Sequence, residues 1–138
     1  MTIDELHEVL MREFPQVGDR FRITALAQNE ITVVMPVRKA DLRPGGTVSG
    51  PTMFSLADVA FYLATMAMIG PQTLTVTTSC TINFMRKPAG QGDIVAKARI
   101  LKLGRSLSVG DVLIFSDSEV EPVAHACLTY AIPPKAMG

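Results

Sequence analysis

The sequence has no surplus of charge: 13 Lys and Arg balance 13 Asp and Glu, a formal net charge of +0. That balance removes the general electrostatic case for binding nucleic acid or an acidic membrane surface, so any anionic ligand must be met by local cations. Cysteine is scarce. The two present, Cys80 and Cys127, fall in expected strands with neither metal-ligand nor redox spacing. A secreted disulfide scaffold of this size would carry more of them, so reduced core thiols are expected. The stretch Met1-Thr2-Ile3-Asp4-Glu5-Leu6-His7 lacks the basic start and apolar centre of a secretory signal, and a cytoplasmic location is expected. No repeat or low-complexity linker interrupts the 138 residues, which suffice for one core. A single domain is expected over 1–138, with an N-terminal helix in 1–15 and the main core in 16–138.

What the chain does have is apolar bulk, 48% of its residues, and a long apolar run from Met53 to Ile69 broken by one carboxylate, Asp58. A charge in that setting costs free energy unless it is partnered or useful. The run approaches a membrane span in length, but it contains a charge, falls slightly short of ~20 residues and lacks flanking Lys or Arg. It is read as a buried helix over Thr52–Ile69, with Pro51 in the first turn, Ser49 or Gly50 as cap and Gly70-Pro71 as stop.

Thr2 and Glu5 have capping-box spacing, and Leu6, Val9, Leu10 and Phe14 give helical periodicity before Pro15, leaving His7 on the exposed face. Residues Phe21–Ala27 and Ile31–Val37 read as a hairpin turning at Asn29-Glu30. Between Arg38 and Pro51 the breakers Pro44, Gly45, Gly46 and Gly50 predict a long ordered loop, a common carrier of function. Four more strands are predicted over Leu74–Met85, Asp93–Leu103, Leu107–Ser116 and Pro122–Ile132, with connections short enough to demand antiparallel neighbours. A curved sheet wrapping the single long helix would bury it.

Strict alternation in the first of those four strands puts Leu74, Val76, Thr78, Cys80, Ile82 and Phe84 on the core face. Thr78 is the one hydroxyl in that row and is expected beside Asp58. A carboxylate near a helix N-terminus, whose free amides can hold a developing oxyanion, has the parts for acyl transfer, with the Gly50 amide as donor. The two groups lie roughly 10 Å or more apart along one helix. A symmetric dimer pairing two such helices antiparallel is therefore expected to set Asp58 of one subunit against Gly50 of the other. Met53, Met66, Met68 and Met85 suit an adaptable apolar wall for an acyl or aryl group. His125 has no partner of metal-ligand spacing, so it is read as structural and no metal is expected.

The segments Pro44-Gly45-Gly46-Thr47-Val48-Ser49-Gly50-Pro51, Ser55-Leu56-Ala57-Asp58 and Thr81-Ile82-Asn83-Phe84-Met85-Arg86-Lys87-Pro88 together resemble hotdog-fold acyl-CoA thioesterases of the PaaI type, over roughly Phe21 to Ile132. The resemblance implies an α+β hotdog fold, a six-stranded antiparallel sheet around one helix, assembled as a homodimer and as a dimer of dimers. It implies hydrolysis of an acyl-CoA to free acid and coenzyme A without a separate cofactor. Asp58 would be general base or nucleophile, the Gly50 amide the oxyanion donor and Thr78 the hydroxyl that places the water. Where the family reads Asn-x-x-Gly-x-x-His-Gly-Gly, this chain has Arg43 for the Asn, Ser49 for the His and Pro51 for the final Gly. Arg43 and Ser49, with Arg86, Lys87 and Arg105, form the expected coenzyme A-binding set, the cations meeting its phosphates. The departures favour one alternative, a non-catalytic module that binds or senses acyl-CoA. A hydratase or dehydratase ranks last, since no His lies near the helix N-terminus.

Overall fold

The structure, a computed structural model, describes residues 1–117 and 119–134. In chain order it runs α1 (Ile3–Glu13), β1 (Arg22–Ala27), β2 (Glu30–Pro36), α2 (Gly50–Ile69), β3 (Val76–Phe84), β4 (Asp93–Leu103), β5 (Leu107–Ser116) and β6 (Ala124–Ala131). All six strands join one antiparallel sheet in the order β1-β2-β4-β5-β6-β3. This is the wrapped-helix architecture that the hydrophobic pattern predicts, with one correction. The Pro88-Ala89-Gly90 connection does not join neighbours: β3 pairs with β6, and β5 and β6 separate it from β4. Three strand spacings are about 14 Å, which the eight residues between β3 and β4 span easily. The α2 crossover carries β3 to the far edge, and this connection brings the chain back.

Helix α2 is buried along most of its length, with Leu56, Ala57, Ala60, Phe61, Leu63 and Met66 all at 0% exposure. Each large side chain among them contributes on the order of 1.5–3 kcal/mol by leaving water. The helix is long and apolar enough to cross a membrane by length and composition, and here it is the core helix of the sheet. Alternate residues of the central strands face it: Val33 and Met35 of β2, Ile94 and Ala96 of β4, Val112 and Ile114 of β5, Ala126 and Leu128 of β6. Gly110 of β5 is required where the Phe61 ring meets the sheet, because a Cβ there would stand 2.5 Å from Phe61 Cε2 and closer still to the Arg99 carbonyl oxygen. Helix α1 has the expected capping box, and Leu6, Val9 and Leu10 close the core. His7 is not on an exposed face: it is half-buried, and its Nε2 accepts the Ile23 N–H at 3.1 Å, tying α1 to β1.

The loop before α2 is organised by a residue that the sequence pattern does not single out. Asp41 is 4% exposed and accepts from the Arg20 guanidinium (2.5 Å) and the Arg38 amide (2.7 Å), with the Thr52 hydroxyl at 3.5 Å. Its backbone carbonyl accepts the Ser49 N–H at 2.8 Å, fixing the residue that caps α2. Burial opposes ionisation of this carboxyl, but the hydrogen bonds and charge of Arg20, with the Arg38 amide, outweigh it and hold the group below its ordinary range. A depressed folded-state pKa means that the carboxylate's stabilisation is complete above pH ~4, its unfolded value, and is lost as pH falls through the folded value. Asp41→Asn should therefore cost about 2–3 kcal/mol at pH 7, the scale of hydrogen bonds to a charged group, and lower the melting temperature by on the order of 10 °C. Thermal melts from pH 7 to 3 check this: the gap to wild type should narrow toward acid, and a constant gap would contradict the assignment.

Candidate active site

Asp58 lies on α2 two turns in from the N-terminus, half-buried, at the margin of the face that the sheet covers. Its Oδ1 accepts the Thr77 hydroxyl at 2.6 Å and stands 2.5 Å from the Tyr130 phenol oxygen, which is also 2.8 Å from the Asp58 carbonyl oxygen. Among the described residues Oδ2 has no hydrogen-bond partner. Burial, reinforced by the adjacent Asp58 charge, pushes the Tyr130 hydroxyl far above its ordinary range, so it remains a donor at any working pH. One carboxylate oxygen is thus anchored by two hydroxyls, and the other is unpaired among the described residues.

Thr77, not Thr78, provides the hydroxyl. The pairing of β3 with β6 shifts register between Thr77, opposite Tyr130, and Ser79, opposite Thr129. Thr78 is the extra residue of this bulge, exposed, with its hydroxyl donating to the Thr129 carbonyl at 3.2 Å. A bulge inverts strand alternation beyond it. Thr75 (5% exposed) and Thr77 therefore point inward before it and Cys80 and Ile82 after it, whereas Leu74 (80%) and Val76 (56%) point outward. Tyr130 was also missed by the sequence reading. Its signal was present: it continues the inward row Ala124, Ala126 and Leu128, and a buried tyrosine must find a partner for its hydroxyl.

The α2 N-terminus is capped by Ser49, whose Oγ accepts the Thr52 N–H at 3.3 Å and lies 2.9 Å from the Thr52 hydroxyl. Capping engages the Ser49 hydroxyl. Gly50 opens the helix beside a cavity of about 400 Å³ whose lining includes Arg43, Arg86, Lys87, Met53, Phe84 and Met85. Three of the four expected cations therefore converge on one pocket, with Arg86 also paired to Glu121. Arg105 does not join them: it borders a separate cavity with Met68, Ile69 and Gln72 at the opposite end of α2, about 30 Å away for a helix of this length.

His125 is held by Asp111, its Nε2 2.9 Å from Asp111 Oδ2, and Arg99 Nε donates to Asp111 Oδ1 at 2.8 Å. The cluster spans β4, β5 and β6 well outside the Asp58 surroundings. Both cysteines are free thiols; Cys127 is exposed rather than in the core, and burial, then the Asp58 charge, push the Cys80 thiol up and keep it protonated. Among the described residues no three His, Cys, Asp or Glu side chains cluster as metal ligands.

Comparison with known proteins agrees with this architecture. The model of the thioesterase superfamily matches residues 45–123, a span that takes in the α2 N-terminus, Asp58 and β3. A crystal structure from Silicibacter sp. TM1040, described as that of a "putative thioesterase", is 49% identical, with a TM-score of 0.90 over 97% of this chain and 93% of that one. The phenylacetic acid degradation protein PaaI of Thermus thermophilus, solved as a point mutant, is 28% identical, with a TM-score of 0.74 over 86% of this chain and 99% of that one. A Thermoplasma volcanium protein named a "putative esterase" is 27% identical over 96 residues, 70% of this chain and 71% of its own length. The chain belongs to the thioesterase superfamily and is a hotdog-fold thioester hydrolase.

Proposed function

We propose that the protein hydrolyses an acyl-coenzyme A at a site shared by two subunits, with Asp58 as general base. The observation that carries this reading is the state of the carboxylate: Oδ1 is anchored by Thr77 and Tyr130, and Oδ2 is left to take a proton. Water attacks the thioester carbonyl carbon as Asp58 accepts its proton. The resulting oxyanion is held by the Gly50 amide and, as the tetrahedral intermediate collapses, the C–S bond breaks and the thiolate recovers the proton from Asp58. Free acid and coenzyme A leave.

Within one helix the eight positions from Gly50 to Asp58 span about 12 Å, too far for both to touch one carbonyl group. Two features support pairing with a second copy. Strand β3 is an edge strand of nine residues that opens on outward Val76, with exposed Leu74 just before it, and α2 leaves a strip at Phe54, Ser55, Asp58 and Val59 incompletely covered. A two-fold axis that joins two β3 edges sets the strips antiparallel, each Asp58 toward the partner's Gly50. Arg43, Arg86 and Lys87 then meet the phosphates of coenzyme A. Arg105, at the far end of α2, is left out of that set. A cytoplasmic enzyme acting as a dimer or a dimer of dimers fits the reading.

Assays of free thiol release across a panel of acyl-CoA substrates test it. Wild type should release thiol, and Asp58→Asn should lose about 10²–10⁴-fold in kcat, the range of a general base, while still melting as a folded protein. Thiol release no faster than the uncatalysed background across the panel, or full activity in Asp58→Asn, would contradict the proposal. The bulge makes a sharper distinction: Thr77→Ala should lower kcat about tenfold, the scale of one hydrogen bond to a charged group, whereas Thr78→Ala should stay within about twofold of wild type. Equal effects of the two would remove Thr77 from the site.

A further inference from the structure

The cavity at the α2 N-terminus is lined by two unlike kinds of residue. Arg43, Arg86 and Lys87 supply cations to its lining, and Val48, Met53, Phe84 and Met85 supply apolar surface. Phe84 is the last residue of β3 and is 51% exposed in the single chain. Its ring meets Gly50 tip-first. A Cβ on Gly50 would stand 3.2 Å from Phe84 Cζ and 3.6 Å from both Cε atoms, tighter than ordinary contact. Gly50 does not have the left-handed backbone that favours glycine, so the close approach of the ring is what makes a side chain unwelcome there.

We propose that Phe84 is a specificity-determining residue that limits the bulk of the acyl group next to the thioester carbonyl; this rests on Gly50 being the oxyanion donor. A carbonyl oxygen about 2.9 Å from the Gly50 nitrogen holds its carbon close to the Gly50 Cα. The first acyl carbon beyond it then comes into the neighbourhood of the ring that faces the missing Gly50 side chain. A straight chain passes beside the ring edge. A branch at the first acyl carbon, or an aryl ring attached there, meets it. The cations of the lining are already assigned to the phosphates, so its apolar residues fall to the acyl group. Gly50 thus serves twice, by its amide and by lacking a side chain that would drive the ring across the site.

The test compares kcat/KM for butanoyl-CoA, 2-methylpropanoyl-CoA and benzoyl-CoA in wild type, Phe84→Leu and Phe84→Ala, with inhibition by free coenzyme A measured in each. Wild type should favour butanoyl-CoA by roughly 10–200-fold, the discrimination that an apolar wall provides. Phe84→Leu should raise the two bulky substrates about tenfold relative to butanoyl-CoA, Phe84→Ala further, with inhibition by coenzyme A unchanged. Gly50→Ala should depress the bulky substrates most, and Phe84→Leu added to it should restore them. A substrate ratio unchanged within twofold in both Phe84 variants would overturn the proposal. So would equal weakening of all three substrates and of coenzyme A, which would place the ring against the coenzyme. If wild type hydrolyses no acyl-CoA at all, the hydrolase reading and this inference fall together; activity with an unchanged ratio removes this inference alone.

Discussion

A helix with apolar side chains on nearly every face cannot stand in water, and the structure follows from that constraint. Twenty residues from Gly50 to Ile69 must be enclosed, and a twisted six-stranded sheet is wide enough to do it where a second helix is not. The sheet has to curve, the strand facing Phe61 needs a glycine at 110, and α1 must close the remaining side with Leu6, Val9 and Leu10. What the sheet leaves uncovered is a narrow strip beside the β3 edge.

That strip contains Asp58. A carboxylate could not sit on the enclosed faces without a full set of partners, and at the margin it has a partial set: two hydroxyls on one oxygen, the other oxygen open. The same margin is where a second copy would complete the burial of α2. If two copies pair as proposed, completing the core and completing the site are a single event, and the carboxylate in the apolar helix has its reason. Asp41 does the corresponding work at the helix N-terminus. Its buried pairing with Arg20 and its carbonyl bond to Ser49 fix where α2 begins, and hence where the Gly50 amide stands.

Much of this was legible in the sequence because it was written in periodicity. The apolar run, Pro51 and Gly70 bounded α2, and β-rich runs between turn residues located the strands. Asp58 stood out by contrast with its neighbours. The faces of β3 were misread for a physical reason: one inserted residue at Thr78 inverts the parity on which the reading depends, and nothing in Thr75 to Asn83, a stretch rich in interchangeable hydroxyls, marks the insertion. The β3–β4 connection misled because a short loop after a helix crossover can span the sheet as well as turn a hairpin. Asp41 was hidden because its partner Arg20 is distant in sequence, and long-range ion pairs leave no local pattern. Arg105 resembles a member of the cationic set because charge type is visible in a sequence, whereas the sheet register that carries the β4–β5 turn to the C-terminal end of α2 is not.

The central claim is that Asp58 and Gly50 act together from different subunits, and subunit mixing tests it directly. Asp58→Asn removes the base, and Gly50→Pro removes the amide at a first helical position, with Phe84→Leu added to both chains to make room for the proline ring; each homodimer should be strongly impaired. When the two are denatured and refolded together, random pairing makes half the dimers mixed, each with one site intact and one doubly altered, so activity should return to about a quarter of that of the Phe84→Leu parent. Recovery near that level is the predicted result. Mixed protein no more active than the separate variants would place both groups in one subunit and contradict the account.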